Sequence, residues 1–365
     1  MATPRTTTMR RQGDNAVKDL TIVICSYNYE RFLREAIDSA LAQAPERTRV
    51  IVIDDGSTDG SRAIIASYGE RIVPVLKENG GQASAYNLGL ELVDTEYITY
   101  LDSDDVLYDG AIDQALAAFE RGGYAKVQFR LSVIDGDSRP TGAYVPNSTP
   151  PADCAALLRR GWLYPSPPAS GNVYRTSALR RILPLPKPKG RGIAADFFAI
   201  YGVALLGPVH AIDTPLGGYR VHRVASESEP GDAPKVGLSI ANCQDIDEVI
   251  RSFPHRWNAL RELVGERLGE QLPEHAIDFA YEKAVLCASA YDAPFSQRCH
   301  WLAFGSGRYF RSIVSNPFWS AKKKLMAIAL TLACVAPSRR MSDHAIRYIA
   351  NPLARRPLPA GGRQA

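Results

Sequence analysis

The chain has 365 residues, 45% hydrophobic and 22% charged, which excludes a fibrous or wholly disordered protein and allows two domains, or one large domain with an extension. Its formal net charge of +4 is unevenly spread: residues 317–365 hold nine basic residues against the acid Asp343, a local +8 that leaves −4 on the rest. That tail implies an anionic partner, a membrane surface or nucleic acid, and six cysteines without paired spacing point to a reducing compartment.

Residues 1–18 are polar, lack the apolar core of a secretory signal, and read as a disordered lead-in. Leu20 to Cys25 is a continuous apolar run, the pattern of a buried strand. Glu30 to Gln43 has apolar residues at helical spacing. The alternation continues with a strand at Arg49 to Ile53, a helix at Asp59 to Tyr68, a strand at Arg71 to Leu76 and a helix at Gln82 to Val93. Then come a strand at Glu96 to Leu101, a helix at Asp109 to Arg121 and a strand at Lys126 to Ile134. This order predicts an α/β fold, a mostly parallel sheet with helices on both faces.

Residues 135–170 are broken by seven prolines and read as loop. A short strand and helix follow over Asn172 to Ile182, then a mobile surface loop over Leu183 to Gly192. Ile193 to Leu206 reads as helix, Pro208 to His222 as two closing strands, and only helical patterns appear beyond about residue 235. The apolar run Leu325 to Ala336 is too short to span a bilayer. Flanked by Lys322–Lys324 and Arg339–Arg340, it fits an interfacial helix or, somewhat better, a buried C-terminal helix with basic caps.

Four polar clusters sit at the carboxyl ends of the expected strands, where open α/β sheets collect ligands. The first is Ser26-Tyr27-Asn28. The second runs from Asp54 and Asp55 to Asp59; Asp59 fits a helix cap, while the other two carboxylates suit contacts to a base or ribose. The third, Asn79-Gly80-Gly81 through Asn87-Leu88-Gly89, opens a helix with backbone N–H groups able to meet an anion, or is a plain helix start. The fourth, Asp102-Ser103-Asp104-Asp105, places three carboxylates within four residues. Such crowding calls for a hard divalent cation, Mg2+ or Mn2+, or for an array of hydrogen-bond donors.

In this order the four clusters resemble those of the family 2 glycosyltransferases, inverting enzymes of GT-A fold, over residues 19–225. The resemblance implies a Rossmann-like mostly parallel sheet followed by a helical C-terminal region (226–350) and a disordered basic tail (351–365). It implies donor contacts from Ser26, Tyr27, Asn28, Asp54, Asp55, Asn79, Gly80, Gly81, Asn87, Asp102, Ser103 and His222, with the cation at Asp104, Asp102 and His222. Ala194-Ala195-Asp196 resembles the segment holding the family's general base, Asp196, although Ala195 stands where a Glu is usual. Tyr219-Arg220-Val221-His222 with Ser226 is similar to another family stretch, and Gly171-Asn172 to the acceptor-side loop. Tyr86 replaces a common arginine, which leaves donor identity open.

The implied partners are a nucleotide-sugar donor, UDP-linked, and a saccharide or lipid-linked acceptor in cell-surface polysaccharide synthesis, with no nucleic acid. The implied place is the cytoplasm, peripheral at the inner face of the membrane through the basic C-terminal region. Two other classes stay in view: a nucleotidyltransferase, whose basic Gly-rich N-terminal loop Cys25-Ser26-Tyr27-Asn28-Tyr29 does not resemble, and an inactive glycan- or membrane-binding scaffold.

Overall fold

The computed structural model describes residues 18–151, 153–186, 194–222 and 246–350. Its elements run β1 (Leu20–Ser26), α1 (Glu30–Leu41), β2 (Thr48–Asp55), α2 (Ser61–Ala66), β3 (Val73–Lys77), α3 (Gln82–Glu91), β4 (Tyr97–Asp102), β5 (Val106–Leu107), α4 (Ala111–Arg121), β6 (Lys126–Ile134) and β7 (Pro140–Val145). Then come α5 (Cys154–Arg159), β8 (Asn172–Arg175), α6 (Thr176–Leu179), α7 (Ala195–Val203) and β9 (Val209–Arg220). The C-terminal part holds α8 (Ile246–Leu268), α9 (Phe279–Ala290), α10 (Phe295–His300), α11 (Gly307–Val314), α12 (Ala321–Cys334) and α13 (Arg339–Ala350).

The sheet is ordered β3-β2-β1-β4-β8-β6-β9-β5, with β7 paired to β6. Strands β3, β2, β1 and β4 are mutually parallel, whereas β8 runs antiparallel to both β4 and β6. Because successive side chains point to opposite faces, β1, β2 and β4 feed two cores. Val23, Ile51, Ile53, Ile98 and Tyr100 pack on one face, and Ile22, Ile24, Val50, Val52 and Leu101 on the other. Burial on both faces is why these strands read as unbroken apolar runs.

Register puts the functional loops side by side. Ser26 pairs with Asp54, and Cys25 with Asp102, so β1, β2 and β4 end at one level. The chain passes from β1 outward to β3 and returns to β4 on the other side of β1, which opens a crevice at the strand ends.

Three expectations need correction. The stretch expected to form two closing strands is one strand, β9, which runs parallel to β6 with register breaks around Arg130 and Pro215; the irregularity made it read as a pair. Residues 135–170 contain β7 and α5 among the loops. The described part of the expected surface loop, 183–186, is only half on the surface: Pro184 and Pro186 are exposed, while Leu183 and Leu185 are buried in the core beside α7. The rest of that loop, Ser226 and the tail 351–365 lie outside the described residues.

The C-terminal helices have a core of their own, built on Leu286, Trp301, Tyr309 and Ile346. Helix α8 joins this core to the sheet, because Trp257, Leu260 and Val264 pack into the same cluster as α7. Helix α12 buries only Thr331 and Cys334, while Leu325, Met326 and Leu332 are more than half exposed. The run expected to be a buried helix is therefore mostly a surface one. Among the described residues no helix is long and apolar enough to cross a membrane.

Candidate active site

After β1, Asn28 adopts left-handed backbone (φ 59°), its N–H donates to Ser57 Oγ (2.9 Å) and its Oδ1 accepts from the Thr58 N–H (2.8 Å). Asp59 accepts from the N–H groups of Glu30 and Ser61, tying the starts of α1 and α2 together. Asp54 is fully buried, and its Oδ1 accepts from the Ser57 N–H (3.1 Å) and Arg62 Nε (2.6 Å). Its Oδ2 is buried without a partner, as is Ser26 Oγ beside it. Tyr27 and Asn79 are exposed.

The turn between β2 and α2 needs glycine at position 56, where φ is +87° and a Cβ would come within 2.6 Å of the Asn79 backbone nitrogen. Behind it, Asp55 accepts from Gly80 N–H (2.9 Å) and Gly81 N–H (2.8 Å), and the Lys77 ammonium completes the set. The anion that the glycine pair meets within the protein is thus the internal carboxylate of Asp55. Asn87 also turns inward: its amide exchanges two hydrogen bonds with the Leu185 backbone (2.8 and 2.7 Å).

The end of β4 differs. Asp102 begins a turn closed by the Asp105 N–H onto its carbonyl (3.1 Å). Burial lifts the Asp102 carboxyl well above the usual range, and the charges of Asp105, Asp104 and Asp196 lift it further. Asp105 is pushed up to about 7 by burial and by Asp104, against donors that favour its ionised form. Those donors are Ser170 Oγ (2.6 Å) and the Arg220 N–H (2.9 Å). Ser170 Oγ also accepts from the Asp102 N–H (3.1 Å), so one hydroxyl fixes both ends of the turn. Ser103 is buried beneath it.

Asp104 points outward, with Oδ2 2.7 Å from His222 Nε2. The His222 ring packs against Phe32, with centroids 5.3 Å apart. Arg220 is 1% exposed and holds the whole corner. It donates to the Asp104 carbonyl (2.6 Å), the Asp135 carbonyl (3.1 Å), Ser138 Oγ (2.9 Å) and Glu35 Oε2 (2.7 Å), and its guanidinium stacks on Phe32.

Asp196 lies half-buried in the first turn of α7, and burial raises its carboxyl while the Phe197 N–H partly offsets this. Ala195, where the family usually has Glu, donates its N–H to Gln82 Oε1 (3.0 Å). Tyr86 stacks on Tyr100 at 3.8 Å, and its hydroxyl is buried without a partner; the charges of Asp102 and Asp196 both bear on it.

Gly171 and Asn172, expected on the acceptor side, are fully packed inside the protein. A Cβ on Gly171 would come within 2.6 Å of the Pro167 ring. The Asn172 side chain donates to the Pro168 carbonyl (2.7 Å) and accepts from Lys126 Nζ (2.7 Å), so it braces the loop that presents Ser170. Its polar atoms are used up by protein, and in this structure it supports the site from behind. Lys126 is itself buried, with its ammonium pushed down to about 7. Ser170, Gln82 and Lys126 were not recognisable in the sequence, since a buried serine in a proline-rich loop has no local signature.

Among the described residues no group of three or more His, Cys, Asp or Glu side chains converges as a metal site. The pair Asp104–His222, with Asp102 at the start of the same turn, nonetheless suits a cation that takes one or two carboxylates and completes its shell with water and substrate phosphates.

Comparison with known proteins bears on the family and the fold. The family model described as glycosyl transferase family 2 matches residues 21–183. An uncharacterized glycosyltransferase of Nostoc sp. is 31% identical over 245 residues, 64% of this chain and 76% of its own length. The minor teichoic acid biosynthesis protein GgaB of Bacillus subtilis is 35% identical over 108 residues, 28% of this chain but only 12% of that protein. In structure the chain is similar to residues 1–349 of S. aureus TarS in complex with UDP, with a TM-score of 0.50, 15% identity and coverage of 91% and 90%. The chain belongs to the family 2 glycosyltransferases, on a GT-A fold with a helical C-terminal region.

Proposed function

We propose that the chain transfers a glycosyl group from a UDP-sugar to a saccharide or lipid-linked saccharide, inverting the anomeric carbon. The observation that carries this reading is the placing of Asp104 and His222, 2.7 Å apart, at the carboxyl end of β4, in one cluster with Asp102, a carboxyl that the charge of Asp196 also reaches. The choice of UDP follows the nucleotide bound by S. aureus TarS, and a polysaccharide-type acceptor follows the teichoic acid biosynthesis for which the B. subtilis relative is named. The unpartnered Ser26 Oγ and Asp54 Oδ2 supply polar atoms at the strand ends where a nucleoside would sit.

In the reaction, the bond from the anomeric carbon to the donor diphosphate breaks and a bond to the acceptor oxygen forms on the opposite face. The acceptor hydroxyl gives its proton to the Asp196 carboxylate, whose burial strengthens it as a base. Held by Asp104 with His222 and Asp102, Mg2+ or Mn2+ would act as a Lewis acid that neutralises charge on the leaving diphosphate. Tyr86, stacked on Tyr100, lies where the charges of Asp102 and Asp196 both bear on it. Replacing Asp196→Asn is expected to cut transfer by about 10²–10⁴-fold while Mn2+-dependent UDP binding, read by thermal shift, persists. Unchanged turnover would remove Asp196 as the base.

The same proposal puts the protein at a membrane surface. Exposed Leu325, Met326 and Leu332 on α12 follow Lys322, Lys323 and Lys324, the composition of a helix that lies in an anionic headgroup layer. Replacing those three lysines with Glu should abolish co-sedimentation with vesicles containing phosphatidylglycerol; unaltered sedimentation would refute the membrane contact.

A further inference from the structure

A cavity of about 720 Å³ opens between the sheet domain and the C-terminal helices. The strand side gives it Tyr144, Trp162, Tyr164, Tyr201 and Tyr219, and the helical side gives Phe279, Tyr309 and Trp319. Interspersed with these rings are Asn147, Ser148, Asp278 and Asn316. This size and mixture suit an organic ligand with apolar faces and many polar substituents. Asp278 and Asn316 are bonded within the chain, but a hydrocarbon tail would leave the Asn147 amide and the Ser148 hydroxyl unmatched, whereas a sugar ring offers C–H faces to the aromatic rings and hydroxyls to such groups.

The cavity is also linked to the reacting groups. Tyr219 adjoins Arg220, whose N–H holds Asp105, and Tyr201 lies on α7, the helix that begins with Asp196. Burial raises both phenols, and the charges of Asp105, Asp102, Asp104 and Asp196 raise Tyr219 further, as those of Asp278 and Asp196 raise Tyr201. Both tyrosines line the cavity and lie on the elements that carry Arg220 and Asp196, which joins the cavity to the carboxylates. At the open rim, Tyr144 is 46% exposed and Met326 on α12 is 57% exposed.

We propose that this cavity holds the saccharide chain of the acceptor and leads its growing end past Tyr219 and Tyr201 to Asp196. The inference rests on the glycosyl-transfer reading and adds to it the substrate class: an oligosaccharide of several rings, gripped on aromatic faces away from the bond that forms. Because Met326, Ala327 and Leu330 line the cavity from α12, a lipid-linked chain would enter from the side that faces the membrane.

The test uses a printed array of mono- to hexasaccharides, neutral and acidic, probed with the full-length protein. The wild type is expected to retain particular chains, with signal rising from mono- to tetrasaccharide. Tyr144→Ala, at the rim, and Ala327→Trp, which fills the cavity, should each weaken retention about tenfold, roughly 1.4 kcal/mol. Tyr144→Phe should restore it, and cooperative thermal unfolding of all variants checks the fold. Retention of no chain by the wild type, or retention that both variants leave intact, would overturn the proposal. A UDP- and Mn2+-dependent thermal shift of the wild type reads the donor site separately, so a failed cavity and a failed transferase reading give different results.

Discussion

Two halves of one strand-end surface solve the problem of polar side chains in opposite ways. Around β1, β2 and β3 the carboxylates and amides are spent on neighbouring loops: Asn28 on Ser57 and Thr58, Asp55 on Gly80, Gly81 and Lys77, Asn87 on Leu185. Around β4 three carboxylates crowd together, and burial and mutual repulsion raise Asp102 and Asp105. The first half is a finished scaffold with two buried atoms left without a partner, Ser26 Oγ and Asp54 Oδ2. The second stores repulsion that a cationic or proton-donating ligand would relieve. Loops in such a site can share motifs of equal appearance and yet divide into those that build the pocket and those that await substrate.

The strongest way to break this contrast is through Arg220, the fixed cation that lets the second half exist at all. Its guanidinium is buried and meets two carbonyls, a hydroxyl and the Glu35 carboxylate. Arg220→Ala removes charge-assisted hydrogen bonds from a buried guanidinium, although its carboxylate partner Glu35 is half exposed, and should destabilise the protein by about 1.5–3 kcal/mol. Arg220→Lys should recover only a small part, because a single ammonium cannot span a planar fork of contacts. Urea unfolding measures both, and a loss below about 1 kcal/mol for the alanine variant would show that the corner holds without it.

Much of this was legible in the sequence where one local signal dominated. Lys126–Ile134 is legible with its true ends, since Val127, Phe129, Leu131 and Val133 alternate with polar residues in the period-two pattern of a strand. The crowded carboxylates after β4 were likewise visible, because like charges at a strand end stand out chemically. What stayed hidden depends on residues far apart in the chain. Ser170 reaches Asp105 across 65 positions, and Arg220 reaches Glu35 across 185. The family resemblance assigns Asn172 to the acceptor side, and nothing local reveals that Lys126 lies beneath it. Two-residue β5 pairs with β9 through tertiary context alone. Helix α12 was ambiguous for another reason: an apolar run fits a core and a membrane surface equally, and only neighbours decide.

A finer test compares two aspartates that look alike in sequence and differ in surroundings. Asp55 accepts two backbone N–H groups and pairs with Lys77, so Asp55→Ala removes part-buried hydrogen bonds to a charged acceptor and should cost about 1.5–3 kcal/mol. Asp102 sits in the opposite situation. Its carboxyl in the folded chain is lifted well above the ordinary value, chiefly by burial and then by Asp105, Asp104 and Asp196. The folded state therefore holds a proton over a range in which the unfolded chain has lost it. Stability from this group is complete below the ordinary carboxylate range and is lost as pH rises toward its raised value. Asp102→Asn removes that loss, so in EDTA the variant should unfold at higher urea than wild type at pH 7. The advantage should shrink toward pH 4 while glycosyl transfer falls by about 10²–10³-fold, the scale for losing one transition-state charge contact. Stabilisation without loss of transfer would mean that Asp102 carries strain but no function. Destabilisation at pH 7 would mean that this half, like the first, is already satisfied by the protein itself.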